Sequence, residues 1–534
     1  MFPIRATGHL RGPSAEQVTE YAARHNLRLS SAEAEEMIAA VTAGLAAMDR
    51  VDELDAPTIE LRHTTRDPGR APRGGEDPFN AVVRFCEVKG AAEGPLAGRT
   101  VGVKDCIAVA GIPTTDGGRR MPLPVPTEDA VVVERLLDAG ATITMKTNME
   151  DLALGLGEGS FYGAARNPVD PRFSTAGSSS GSGAAVAAGM CDMALGADEG
   201  GSVRMPAAWC GLVGMKATHG LVPSYGMSYM DHTLDHIGPI TKTVADNALM
   251  LETIAGYDWR DPQWMRAAPS AGPYSQATAE SLEGLRIGVL AEGLEPVGCS
   301  DDVLEAFEGA KAQLVELGAT LESVSVPLWP DSMTIAMAII SFGLSAMVAS
   351  GGQGIGHMGR IDVEKLATNV AQTRLGAQDL PPMLKSSLIT ADYLRDAYLG
   401  VHFGRAQNLR LELRHQIEAA LDGVDVLIMP TMPKVAFELL DGRAEPGVME
   451  ERTGTDYVGN TAALDLSGHP ALTVPCGLGE HGLPVGLQIV GRHLDEYRMY
   501  EVGSAFEAAH GFESPAQTLE ALAAEANGAS PALA

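Results

Sequence analysis

From residue 100 onward, short apolar runs alternate with helical stretches, and few architectures accept that order. Thr100-Val-Gly-Val103 reads as a strand, and Asp129–Ala139 as a helix stopped by Gly140. Ala141–Met145, Leu285–Leu290 and Thr320–Val326 read as further strands, with an acid-capped helix at Asp301–Leu317 between the last two. Asp425–Met429, Val485–Val490 and a helix at Glu496–Ala509 continue the theme. Strands that alternate with helices bury their apolar faces by forming a sheet with helices packed on it. The expected fold is therefore α/β: a mixed central β-sheet covered by helices on both faces.

The 534 residues suffice for one large core and an accessory segment. Residues 14 to about 50 read as helical, because Ser14-Ala-Glu-Gln17 and Ser30-Ser-Ala-Glu33 both have capping-box spacing. The polar stretch 62–77, rich in Pro and Gly, reads as a linker. The expected organisation is a helical extension and linker over 1–75, a catalytic domain over 76–520, and a frayed tail over 521–534. Met333–Ser350 is uncharged for 18 residues, the lower edge of a membrane span. Its Thr, Ser, Ala and Gly content favours a buried helix that lines a pocket.

With 69 acidic and 39 basic residues the formal charge is -30, so polyanions are repelled and no nucleic-acid ligand is expected. Six dispersed cysteines without a CxxC read as reduced thiols of a cytoplasmic protein. The N-terminus lacks the apolar run of a signal peptide.

The loop Asp198-Glu-Gly-Gly-Ser-Val-Arg-Met-Pro206 fits either a phosphate cradle or a serine nucleophile. Phosphate fares badly elsewhere in the chain. No GxxxxGK[ST] run occurs, and Lys216 stands fourteen residues beyond Ser202. The GxG at Gly181-Ser-Gly183 lacks the early βαβ frame of a dinucleotide fold. His232 and His236 have metal-compatible spacing but no HExxH and no evident third ligand. A serine hydroxyl needs a base. No histidine here stands in a recognisable triad context. Lysine can serve once burial disfavours its ammonium, and Lys104 ends an apolar strand. Between it and Ser202 lies the hydroxyl cluster Gly177-Ser-Ser-Ser-Gly-Ser-Gly183, able to pass a proton.

GVKD at 102–105, AGSSSGSG at 176–183 and GADEGGSVRMPAAWCGLVGMKAT at 196–218 together resemble the amidase signature family. LDHIGPITKTVADNALML (234–251) and SGHPALTVPCGLGEHGLPVGLQIVGR (467–492) extend the resemblance over most of 76–510. The helical extension and the DHIGPIT segment look most like bacterial amidases that accompany nitrile hydratases.

The resemblance implies a Ser–cisSer–Lys triad. Ser202 corresponds to the nucleophile, Ser178 to the bridging serine after a cis Gly177–Ser178 bond, and Lys104 to the base. The backbone amides of Glu199, Gly200, Gly201 and Ser202 correspond to the oxyanion hole, with Asp198 and Arg204 as a supporting ion pair. Many members carry Thr, Ile or Gln where this chain has Glu199, and a carboxylate there opposes an oxyanion unless it points away.

The implied activity is hydrolysis of a carboxamide (or an ester, anilide or carbamate) to acid plus ammonia or amine, with no metal or organic cofactor. The expected partner is a small-molecule amide with an apolar acyl or aryl group, acted on by a homodimer without nucleic acid or membrane. The alternative is the catalytic component of a tRNA-dependent glutamine amidotransferase, which shares these motifs. The extension and the -30 charge argue against it.

Overall fold

The structure is a computed structural model, and it describes residues 10–54, 57–119, 123–261, 272–350, 359–440, 457–519 and 521. The chain divides into two compact units, residues 1–62 and 63–534. The first holds α1 (Ala15–Arg24) and α2 (Ser31–Glu53). Both begin with the capping boxes read from the sequence. Ser14 Oγ accepts from Gln17 N–H at 3.2 Å, and Ser30 Oγ from Glu33 N–H at 3.3 Å.

The second unit is built on a 12-stranded sheet in the order β1-β2-β4-β3-β5-β7-β6-β11-β12-β10-β8-β9. Its first half comprises β1 (Arg66–Arg70), β2 (Val82–Lys89), β3 (Thr100–Lys104), β4 (Thr142–Thr147), β5 (Met193–Asp198), β6 (Val213–Lys216) and β7 (His236–Thr241). The second half comprises β8 (Arg286–Leu290), β9 (Thr320–Val324), β10 (Val426–Pro430), β11 (Ala471–Leu478) and β12 (Pro484–Val490). β3 runs parallel to β4 and β5, and β8 parallel to β9 and β10; the remaining pairings are antiparallel. The sheet is therefore mixed, as the alternation implied.

Helices cover both faces. Strand side chains alternate, so Leu472, Val474 and Cys476 of β11 share one side. There they pack with α3 (Val131–Asp138), α6 (Val244–Ile254), α7 (Asp301–Glu316) and α13 (Glu496–His510). On the other side lie α4 (Ser180–Ala187) and α5 (Arg204–Trp209), where Ala208 meets the strand at Gly486. A further layer holds α8 (Ser332–Ala349), α9 (Val363–Gly376), α10 (Pro382–Tyr398), α11 (Val401–Leu421) and α12 (Ala462–Ser467). Residues Trp329–Ala349 are long and apolar enough to cross a membrane. Here Ile335, Ile339 and Leu344 pack against Leu384, Leu413 and Ile417 of α10 and α11.

Two sequence expectations need adjustment. The stretch read as a linker contains β1, an edge strand paired with β2, whose Arg66 joins the buried Asp129 through an ion pair of 2.5 Å. A polar edge strand carries no apolar alternation, so periodicity could not reveal it. The expected frayed tail lies, apart from Ala521, outside the described residues.

Candidate active site

Three segment ends meet above the central strands. Lys104 is the last residue of β3, Ser178 precedes α4, and Ser202 lies in the loop between β5 and α5. Because β3 and β5 are parallel neighbours, their carboxyl ends open on the same edge of the sheet. That edge is where side chains from separate loops can converge.

Lys104 is fully buried, and its Nζ donates to Ser178 Oγ at 2.8 Å and to the Ala197 carbonyl at 3.2 Å. The peptide bond Gly177–Ser178 is cis. Ser202 is 6% exposed and stands on the wall of a cavity of about 580 Å³. Among the described residues no hydrogen bond joins Ser202 to Ser178. The lysine–serine half of the relay is thus made, while the nucleophile faces the cavity.

The loop around Ser202 is held from below. Arg204 is wholly buried and grips Asp198 with two bonds, Nε to Oδ2 at 3.0 Å and Nη2 to Oδ1 at 2.8 Å. Its remaining donors reach Asp465 Oδ2 at 2.8 Å, Gln488 Oε1 at 2.9 Å and the Thr461 carbonyl at 3.0 Å. Burial alone would raise the Asp198 carboxyl; the Arg204 charge and hydrogen bonds outweigh it and hold Asp198 well below the usual range. Asp198 Oδ2 also accepts from Val203 N–H at 3.0 Å, and Thr461 Oγ1 donates to the Gly200 carbonyl at 2.5 Å. Gly201 has φ +131, and a Cβ there would lie 2.4 Å from Thr461 Oγ1, so only glycine fits. Gly200 faces open space. The amides of Gly200, Gly201 and Ser202 donate to no protein acceptor among the described residues, which leaves them for an anionic oxygen.

Two further carboxyls approach Lys104. Glu150 is fully buried, neither of its oxygens has a hydrogen-bond partner, and burial pushes it up to about 7 against the opposing Lys104 charge. Glu199 is likewise pushed up to about 7 by burial, against Lys104 and with Asp198 adding to the rise. Sequence reasoning missed Glu150, Thr461, Asp465 and Gln488, since none stands in a motif that names a chemistry.

The cavity is apolar on most sides, with Leu156, Met205, Met230, Met333, Met337 and Ile340 among its lining residues. Met333, Met337 and Ile340 belong to α8, so the uncharged stretch forms a pocket wall. The structure does not converge His232 and His236 on a common point. His236 spends its ring nitrogens on the Leu234 carbonyl at 2.6 Å and on Lys216 Nζ at 3.3 Å. Glu418, His469 and His493 do bring ligand-type atoms within 4.8 Å of one another. Glu418, however, is bonded to Arg414 at 2.8 Å, and His493 to the Ser467 carbonyl at 3.2 Å.

Comparison with known proteins agrees with this geometry. The Amidase family profile matches residues 85–499, and the chain belongs to that family. It is an amidase-signature enzyme, a hydrolase of carbon–nitrogen bonds. A relative from Exiguobacterium sibiricum, named as the first (A-type) component of glutamyl-tRNA(Gln) amidotransferase, is 38% identical, over 82% of this chain and 89% of that protein. The crystal structure of the same-named component from Thermotoga maritima matches with a TM-score of 0.65 and 29% identity, over 83% of this chain and 89% of that one. The peptide amidase of Stenotrophomonas maltophilia matches with a TM-score of 0.64 and 30% identity, over 79% and 85%. These relatives correct the partner expectation. A homodimer acting only on small molecules, with no nucleic acid in view, conflicts with close relatives named for a tRNA and as one component of a larger enzyme. Net charge misled because it averages over the surface, and one docking face need not follow the mean.

Proposed function

We propose that the chain cleaves a carboxamide through an acyl-enzyme on Ser202, and that it does so as the amide-hydrolysing member of an assembly. Lys104 removes a proton from Ser178 as Ser178 takes one from Ser202, and Ser202 Oγ bonds to the carbonyl carbon. The oxygen becomes an anion facing the free amides of Gly200, Gly201 and Ser202. The tetrahedral centre collapses by breaking the C–N bond, and the proton returns along the relay to the leaving nitrogen. Water then enters by the same route and releases the acid.

The 2.8 Å contact of Lys104 Nζ with Ser178 Oγ, beside a cavity that Ser202 faces, is the observation that carries the chemistry. The 38% identity to a component of a tRNA-linked amidotransferase, over most of both chains, supports the assembly. In that setting the ammonia released is the useful product.

The apolar cavity wall supports a second reading, a free-standing amidase whose acyl pocket takes an uncharged side chain. The test is amide turnover by the isolated chain, with and without hydroxylamine. Hydroxylamine diverts an acyl-enzyme from acid to hydroxamate while amine release stays constant if acylation limits. Near-normal hydroxamate from Ser202→Ala would end the serine mechanism. Full turnover without a partner protein would favour the second reading over the first.

A further inference from the structure

We infer that Glu199 and Asp235 form a proton-sharing carboxyl pair behind the nucleophile loop, and that this pair is a positioning element which sets the alkaline limit of hydrolysis. The second half rests on Ser202 being the nucleophile.

The pairing follows from the ladder. β5 and β7 are antiparallel, with Ala197 opposite Ile237 and Asp198 opposite His236. One step further, the same register sets Glu199 against Asp235. Side chains at directly opposed positions share a face, about 5 Å apart at Cβ. Glu199 is 3% and Asp235 5% exposed. Asp235 Oδ2 accepts the amides of Met230 at 2.9 Å and Asp231 at 3.0 Å, while Asp235 Oδ1 and Glu199 Oε2 have no donor within reach. The two carboxyls are in hydrogen-bond contact, and such a contact needs one proton between them. Two buried carboxyls this close cannot both be charged without a large cost.

The surrounding groups are on the page. Burial raises Glu199 first; Lys104 opposes that rise, and Asp198 reinforces it. Asp235 is raised by burial first, then by Glu199 and Asp231. Cys106 and Tyr229 also feel the pair, from the loop after β3 and the one before β7. While the proton is held, Glu199 is a neutral wall of the cavity beside Ser202 and Gly200. When it leaves, a negative charge stands where the tetrahedral oxygen becomes anionic, and it draws Lys104 into an ion pair. Thr, Ile or Gln at this position carries no such proton.

The experiment measures Tm and kcat/KM from pH 5 to 9 for wild type, E199Q and D235N, with E199T standing in should E199Q fail to fold. A carboxyl raised on folding contributes stability that is complete below its unfolded pKa of about 4.5 and is lost as pH rises through about 7. Wild-type Tm should therefore fall across that window, and both substitutions should flatten the fall. Wild-type kcat/KM should drop roughly tenfold per pH unit above its limb, and E199Q should move that limb up by about one unit or more. Parallel Tm curves in all three proteins overturn the pair. A flattened Tm curve with an unmoved limb overturns its role in catalysis. Flattened curves in a protein that hydrolyses no amide leave the pair standing and remove the serine mechanism instead.

Discussion

The reaction centre and the wall of its cavity are built by different means. Lys104, Ser178 and the Asp198–Arg204 pair are fully buried, sit at or just beyond strand ends, and are tied by hydrogen bonds of 2.8–3.2 Å that leave little freedom. The far wall comes from α8 and α10, helices that present Met333, Met337 and Met383 and are held mainly by apolar packing. Methionine is unbranched and adapts to irregular shapes. Chemistry is placed by directional contacts from the sheet, and substrate shape is read by a layer that can be repacked without moving them.

The largest effects should come from the centre. Ser202→Ala and Lys104→Ala should each lower kcat by about 10⁴-fold or more, and by similar amounts, because groups acting as one unit are not additive. Ser178→Ala should cost less, about 10²-fold, since a water can replace the relay. Steady-state kinetics on one good amide would check the order. If Lys104→Ala lost far less than Ser202→Ala, the contrast between a rigid centre and an adaptable wall would fail at its first point.

Next is the support beneath the loop. Arg204→Met leaves Asp198 and Asp465 buried without their cation, and should cost about 3–5 kcal/mol of stability in denaturant titration. Changes in the wall should act on specificity instead. Met337→Trp narrows the cavity and should lower kcat/KM for a bulky acyl amide roughly 10- to 100-fold relative to a small one, with Tm little changed. A uniform loss on all amides would show that the wall also positions the centre.

The smallest effect belongs to Glu150. Burial raises its carboxyl to about 7, so its folded-state proton stabilises below about pH 4.5 and that contribution is lost as pH climbs to 7. Glu150→Gln should be more stable than wild type at pH 8, by about 1–2 kcal/mol, and equal to it at pH 5. Tm measured at the two pH values reads this directly.

Motif spacing made the catalytic candidates legible, because Lys104, Ser178 and Ser202 each lie in a short run whose glycines and serines have few structural uses. Asp235 stood inside the recognised DHIGPIT stretch without a role, since only the β5–β7 register reveals that it faces Glu199. Thr461, Asp465 and Gln488 reach Arg204 from about 260 residues or more away along the chain, and no local pattern marks such partners. Partner choice was misread from net charge, a property of the whole surface and not of any one face.

By itself, then, the sequence determined the alternating strands and helices, the two capped N-terminal helices and the residues able to do acyl chemistry. Those follow from periodicity and from side-chain types within a few positions of one another. Only the tertiary structure decided that β1 closes an edge of the sheet, that α8 walls the cavity, and that Glu199 and Asp235 must share a proton. Each depends on which segments the sheet order brings together, and a charge's cost is set by what surrounds it in space.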